Sequence, residues 1–256
     1  MPYQFALERP DFSALASGAV LYSLPGHPAF PIRLTSEIFL RCLELRKSNG
    51  VSVRQTVYDP CCGTAYQLSA LVYLHGDSIG KVIASDIDGQ AVQLAKRNLE
   101  LVCGEGLAGR IRELEELHQK YGKASHLEAL ASARKLMPRL ADLKKEHPVE
   151  KRVFQADALD GESLRLELAR ERVDIVLTDI PYGRHSRWQG QGPAGRSPAE
   201  AMLEALLAVL HSTSLVAVVS DKSQKVSHDE FTLAEKFHIG KRQIVILKLC
   251  RKECKN

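Results

Sequence analysis

Val57-Tyr58-Asp59-Pro60-Cys61-Cys62-Gly63-Thr64-Ala65-Tyr66 reads as a strand running through a tight turn into a helix. An apolar, β-prone run beginning at Val53 ends in the Asp59 carboxylate, and a helical pattern follows from Gln67 to Leu74. Between them, Pro60, Cys61, Cys62, Gly63 and Ala65 are small or rigid. Small residues let a ligand lie against backbone, and glycine takes positive φ without strain. A nucleotide-binding βα unit opens in this way. The G-x-G-x-x-G spacing of dinucleotide enzymes is missing, as is the lysine of a P-loop. By itself the turn is equally an ordinary βα connection, so its meaning rests on the chain around it.

Downstream, strands and helices alternate. Apolar runs predict strands at 53–58, 81–85, 152–155, 173–178, 215–220 and 243–249, the last pairing with a strand near 237–239. Helical spacing predicts helices at 66–74, from Gly89 to Val102, at 163–170, and from Pro198 to about His211. That order implies an α/β fold, a doubly wound, mostly parallel seven-stranded sheet with helices on both faces. Residues 1–50 read as a lead-in carrying a proline loop (Gly26-His27-Pro28-Ala29-Phe30-Pro31) and a helix capped by Thr35; the domain proper spans 51–256. Residues 104–148 interrupt the alternation. Leu114, Leu117, Tyr121, Leu127, Leu130, Ala131, Leu136, Leu140 and Leu143 recur at helical intervals there, and Gly122 divides them, so the stretch predicts a two-helix insertion. Its polar face mixes Arg110, Arg112, Lys120, Lys123, Arg134, Lys135, Arg139, Lys144 and Lys145 with Glu113, Glu115, Glu116 and Glu128. A solvated face is the simpler reading, with an RNA-contacting arm as the alternative.

Composition narrows the class. No apolar run approaches the roughly 20 residues of a membrane helix, and no secretory leader is visible, so the chain reads as cytoplasmic with no membrane partner. Six cysteines in 256 residues show no paired zinc spacing, which predicts no metal and no disulfide framework. A net charge of +4 is compatible with nucleic acid without requiring it. No apolar seam is left over, so a monomer is expected.

Four carboxylates end the first four strands: Asp59, Asp86, Asp157 and Asp179. An aspartate there commonly caps the next helix. Four in succession, however, would surround one crevice, because ligands of an open parallel sheet bind outside the carboxyl ends of its strands. Asp86, with Ile87, suits ribose hydroxyls. Asp157, with Ala158, suits an adenine amino group. Asp59, beside Pro60, Cys61 and Gly63, suits a cationic α-amino group. An adenosine bearing an amino acid and no phosphate is S-adenosylmethionine (SAM). Asp179-Ile180-Pro181-Tyr182-Gly183 supplies the chemistry: the carboxylate and the Ile180 and Pro181 carbonyls accept from a planar nitrogen, and Tyr182 stacks on its ring. Positioning, more than acid–base chemistry, would drive the transfer. The following loop carries Arg184, His185, Arg187, Trp188 and Arg196 among glycines, with Lys222 and Lys225 beyond strand five; these suit RNA phosphates and a stacked base. Phe30 and Arg33 are further candidates for the cofactor wall or the RNA path.

The Asp-x-Pro-Tyr-Gly string with the glycine turn resembles class I SAM-dependent N-methyltransferases of the Asp/Asn-Pro-Pro-Tyr type. The strings Tyr22-Ser23-Leu24-Pro25-Gly26-His27-Pro28-Ala29-Phe30-Pro31-Ile32-Arg33-Leu34, Asp59-Pro60-Cys61-Cys62-Gly63, Ile83-Ala84-Ser85-Asp86-Ile87-Asp88 and Leu177-Thr178-Asp179-Ile180-Pro181-Tyr182-Gly183 are similar to the avilamycin-resistance 23S rRNA guanine methyltransferase family. The likeness runs through 121–129 to Ser220-Asp221-Lys222-Ser223-Gln224-Lys225. It implies a Rossmann-like methyltransferase with an extra helical pair, SAM as cofactor, a guanine nitrogen of 23S rRNA as target, and resistance to an orthosomycin antibiotic. Ala65 and Ile180 depart from the broad pattern, at the last glycine of the turn and the first proline of the motif. Rival readings are an adenine-N6 or tRNA guanine-N2 methyltransferase, and a SAM-binding RNA module without turnover.

Overall fold

The computed structural model describes residues 3–15, 18–25, 29–48, 50, 53–169, 171–181, 188–189 and 195–250. Seven strands form one sheet in the order β3-β2-β1-β4-β5-β7-β6. They are β1 (Gln55–Asp59), β2 (Ile79–Asp86), β3 (Glu150–Gln155), β4 (Val173–Asp179), β5 (Leu210–Asp221), β6 (Phe231–Ile239) and β7 (Arg242–Leu249). The first five run parallel, and β7 is antiparallel to both β5 and β6. The predicted mostly parallel sheet of seven strands is therefore present. Its order reverses at β1, which pairs with β2 on one side and β4 on the other. A crevice at the carboxyl edge opens at such a reversal.

Helices cover both faces. On one face lie α1 (Ile32–Lys47), α2 (Tyr66–His75), α3 (Gly89–Cys103), α4 (Gly106–Tyr121) and α5 (Ala124–Glu146), packed on Val57, Val82, Ala84, Ile175 and Leu177. On the other lie α6 (Gly161–Leu168) and α7 (Pro198–Leu206), packed on Tyr58, Ile83, Val176 and Val216. Successive strand residues thus serve opposite cores, as the two-residue period of a pleated strand requires.

Several boundaries differ from the sequence reading. Helix α1 begins at Ile32, behind Pro31 at its N-cap position, and Thr35 lies inside the first turn, where its N–H donates to the Pro31 carbonyl at 3.0 Å. Proline at the helix entrance sets φ before Thr35 is reached. Helix α7 stops at Leu206 rather than His211, because β5 begins at Leu210 in register with Val173. There His211 Nε2 meets Asp174 at 3.2 Å. Strand β6 is far longer than residues 237–239.

The insertion forms two helices, divided at Gly122 (φ 63°). Its apolar stripe is Leu114, Leu130, Ala133, Leu136, Leu140 and Leu143; Tyr121, Leu127 and Ala131 are exposed. Many of its cations are engaged by the chain itself. Arg110 donates to the Val20 and Ala19 carbonyls at 3.1 and 2.9 Å, Arg134 pairs with Glu115 at 2.9 Å, Lys135 with Asp11 at 3.0 Å, Arg139 with Asp77 at 2.6 Å, and Lys144 with Glu105. Two of these contacts, from Arg110 and Lys135, brace the insertion against the lead-in.

Candidate active site

The aspartates converge. Asp59, Asp86 and Asp179 lie two residues beyond Val57, Ala84 and Leu177, which all belong to the core under α1–α5. Strand alternation therefore aims the three carboxylates to that same face, at the tips of three adjacent strands. Asp59 is 2% exposed. Burial pushes its carboxyl pKa up to about 7; the Cys61 N–H at 3.1 Å and the Thr178 hydroxyl oppose this, and the charges of Asp86 and Asp179 reinforce it. Burial also raises the Cys61 thiol well above its usual range, with Asp59, Asp86 and Asp157 adding to the effect. All four strand-end carboxylates thus act on one small region around the turn.

The turn has the conformation its composition suggests. Gly63 has φ 53°. Its N–H donates to Asp86 Oδ2 at 2.8 Å, and the Cys62 N–H donates to the Ser85 carbonyl at 2.9 Å, so the turn is stitched to β2. Asp86 Oδ1 accepts from the Asp88 N–H at 3.0 Å. Each carboxylate oxygen retains a second acceptor site for a ligand hydroxyl. Ala65 is also left-handed (φ 54°, ψ 30°), the one such non-glycine among the described residues. A glycine at this position would avoid that strain, of order 1–2 kcal/mol for a side-chain-bearing residue.

Asp157 lies two residues past the end of β3, and its Oδ1 accepts from the Leu159 N–H at 2.9 Å. The neighbouring Ala156 N–H donates to the Asp86 carbonyl at 3.1 Å, which brings the 156–158 segment beside β2. Ala158 is buried, and Ile87 is partly exposed next to Asp86.

The motif after β4 is partly described. Ile180 is buried and its N–H continues the ladder to the Val219 carbonyl at 3.1 Å. The Pro181 carbonyl accepts from Gln224 Nε2 at 3.3 Å, so this carbonyl is not wholly reserved for a substrate. Tyr182, Arg184, His185 and Arg187 lie outside the described residues. Trp188 is half-buried against the α6–α7 core. Arg196 is turned to Glu204 at 3.1 Å, and Lys222 and Lys225 are exposed on the turn after β5. Arg33 does not face the crevice: it donates to the Ala6 and Leu7 carbonyls at 2.8 and 3.0 Å and stacks 3.9 Å from the Tyr3 ring. Arg33, the second residue of α1, is captured by the segment crossing that helix. Phe30 is buried, with the Arg242 guanidinium 5.4 Å from its ring.

The sequence reading missed Asn98. Fully buried on α3, it accepts from the Tyr22 N–H at 2.7 Å and donates to the Tyr22 and Thr64 carbonyls at 2.9 and 2.8 Å. It thereby locks the lead-in to the glycine turn. Its helical position matched an ordinary core face, so no local signal set it apart. Gln224 was likewise unremarked as a partner of Pro181.

An open groove of about 720 Å³ lies along α7, lined by Glu200, Glu204, His228, Asp229 and Glu230 among others. It belongs to the face opposite the converging aspartates, and its acidic lining does not suit a polyanion. Among the described residues, no cluster has metal-ligating composition and no helix is long and apolar enough to cross a membrane.

Comparison with known proteins agrees with this geometry. The family model described as "RRNA methyltransferase AviRa" matches residues 1–242. The 23S rRNA (guanine(2535)-N(1))-methyltransferase of Streptomyces viridochromogenes is 41% identical over 246 residues, covering 96% of this chain and 95% of that protein. Two solved structures of the rRNA methyltransferase AviRa from the same organism, at 2.4 and 1.5 Å, superpose with a TM-score of 0.83 each. They are 39% and 38% identical and cover 97% of this chain and 96% of theirs. The seven-stranded sheet with its brace of two helices, matched nearly end to end, places this chain in the AviRa family of rRNA methyltransferases.

Proposed function

We propose that this chain transfers the methyl group of SAM to N1 of a guanine in 23S rRNA, and that this modification protects the ribosome from an avilamycin-type antibiotic. The observation that carries the reading is the convergence of Asp59, Asp86 and Asp179 on one face of the sheet reversal, beside the Asp-Ile-Pro motif. Family membership supplies the reaction class, and the guanine N1 target is that of the Streptomyces relative.

The residues present fit SAM. A crevice with several carboxylates and a positive-φ turn suits a ligand with a cationic sulfonium and ammonium but no phosphate. Asp86 would hold the ribose hydroxyls, with Ile87 against the sugar. Asp157 and Ala158 would receive the adenine, and Asp59, Pro60, Cys61 and Gly63 the amino-acid end. When bound, SAM supplies an electrophilic methyl group.

The N1 target adds a requirement that the motif alone does not reveal. In neutral guanine N1 carries a hydrogen, so an in-plane lone pair exists only as that proton leaves. Asp179 is the proton acceptor in this reading. Its carboxylate would take the N1 proton, so that the ring nitrogen could accept the methyl group that SAM would supply. The Ile180 and Pro181 carbonyls orient the base edge, and Tyr182 stacks on the ring. Arg184, Arg187, Trp188, Lys222 and Lys225 receive the RNA, whose target base is unpaired or flipped. The enzyme would work as a monomer in the cytoplasm, where ribosomes are.

Labelled-methyl transfer to unmodified 23S rRNA and to tRNA, with reverse-transcription mapping, tests the reading, because N1 methylation blocks Watson–Crick pairing and stops the transcriptase. A stop at one guanine of 23S rRNA is expected. A product on tRNA, on adenine or on an exocyclic nitrogen would instead favour the rival targets, and an absence of turnover the binding module. Asp179→Asn should retain SAM binding and lose at least about 100-fold in transfer; a normal rate in that variant would remove Asp179 from the mechanism.

A further inference from the structure

The turn after β5 and the tip of the β6–β7 hairpin share the sheet's carboxyl edge with the active site. Asp179 pairs in register with Val219, and Asp221, two residues on, pairs with Arg242. At about 4.8 Å per strand, Arg242 lies two strands, roughly 10 Å, to the side of β4. Hydrogen bonds fix this region to the catalytic motif. Gln224 Nε2 donates to the Pro181 carbonyl at 3.3 Å, while Gln243 Nε2 donates to the Gln224 carbonyl at 3.0 Å and to Ser220 Oγ at 3.3 Å. The Asp221 N–H donates to Gln224 Oε1 at 3.2 Å. The β5 turn and the start of β7 are therefore held in a set position relative to Pro181.

Four cations stand on this frame. Lys222, Lys225 and Lys241 are exposed, and none forms an ion pair among the described residues. Arg242 is half-buried over Phe30, at the end of the proline loop, and its Nε is withdrawn from water without a hydrogen-bond partner. The neighbouring Asp221 carboxylate accepts from the N–H and hydroxyl of Ser223 at 2.9 and 2.7 Å, and it lies within electrostatic reach of Lys222 and Lys241 without forming an ion pair with either. The insertion differs: five of its nine cations are held by the chain's own carboxylates or carbonyls. Cations that outnumber the carboxylate among them, on a fixed frame beside a site that receives a nucleic-acid base, suit phosphate oxygens.

We propose that Lys241 and Arg242 at the hairpin tip continue the Lys222–Lys225 turn as one phosphate track, along which the RNA strand leaves the active site. Gln224 and Gln243 keep that track in register with Pro181. The proposal rests on the rRNA methyltransferase reading. It extends the RNA surface to a strand pair on the far side of β5 from the cofactor.

The test uses the full chain with an unmodified 23S rRNA fragment, titrated between about 50 and 200 mM salt. Each phosphate contact on single-stranded RNA adds about 0.7 to the slope of log affinity against log salt, equivalent to about fivefold in affinity at about 0.1 M. The exposed pair Lys222→Gln/Lys241→Gln should lower the slope by about 1.4 and weaken binding about 25-fold, with SAM affinity and Tm unchanged. The control Lys123→Gln/Lys145→Gln, on the exposed surface of the insertion, should leave the slope as it is. An unchanged slope in the first pair, or a loss confined to the control pair, would overturn the track. A wild-type chain that binds RNA with the full slope yet never methylates it would refute the enzymatic reading while leaving the track standing.

Discussion

Replacing Asp59 with asparagine should stabilise the protein while weakening its hold on SAM. Asp59 is buried, and its carboxyl is raised from 3.8 to about 7 by burial and by the charges of Asp86 and Asp179. Below about pH 4 the carboxyl is protonated in both folded and unfolded chains and contributes no slope. Between about pH 4 and 7 the unfolded chain has released a proton that the folded chain keeps, so stability falls as pH rises. The fall levels off above about pH 7, once the folded carboxyl also ionises. About three units at 1.36 kcal/mol each give about 4 kcal/mol lost by about pH 8. The amide of the Asp59→Asn variant keeps an oxygen for the Cys61 N–H but carries no charge, so that variant lacks this slope. Thermal unfolding of both proteins from about pH 4 to 8 is the assay. The Tm difference should be near zero at about pH 4 and reach about 10 °C in favour of the variant at about pH 8, taking roughly 2–4 °C per kcal/mol for a chain of this size. Binding should move the other way: wild-type affinity for SAM should improve as pH rises toward about 7, because a cationic ligand favours the ionised carboxylate, and the variant should bind weakly and without that trend. A Tm difference equal at both ends of that pH range would refute the idea that Asp59 is held protonated by its surroundings.

Two further substitutions probe the frame of the cofactor turn. Asn98→Ala strands the Tyr22 N–H and the Tyr22 and Thr64 carbonyls in the core, so it should cost about 2–4 kcal/mol in urea denaturation; it should also raise the SAM dissociation constant more than Leu143→Ala, a core truncation in α5 chosen as control, and equal effects would make Asn98 merely structural. Gly63→Val places a β-branched residue at φ 53°, which should abolish SAM binding measured by calorimetry; retention of normal affinity would mean that the turn does not bear on the ligand.

The order of elements was legible in the sequence because strand and helix periods differ and because the first four apolar runs each lead to an aspartate. Gly63 could be read as a positive-φ turn, since few other residues tolerate that geometry. Local pattern served less well at helix ends. Thr35 has the composition of a cap, yet Pro31 opens α1, and α7 ends early because the pairing of β5 with β4 outweighs helix propensity. In the insertion, Tyr121, Leu127 and Ala131 fit a helical stripe yet are exposed, since the supporting face is set by the neighbouring helix and the lead-in.

From the linear chain alone came the alternating fold, the acidic strand ends and the family likeness, all of which are properties of residues near one another in sequence. Only the tertiary structure could set Asp59, Asp86 and Asp179 side by side on one face, because that depends on β1 lying between β2 and β4. It alone tied Asn98 to Tyr22 and Thr64, and Gln224 to Pro181, across separations of 76, 34 and 43 residues. Such contacts leave no local periodicity, since a single buried amide looks like any other polar residue until the backbone groups it satisfies are brought to it.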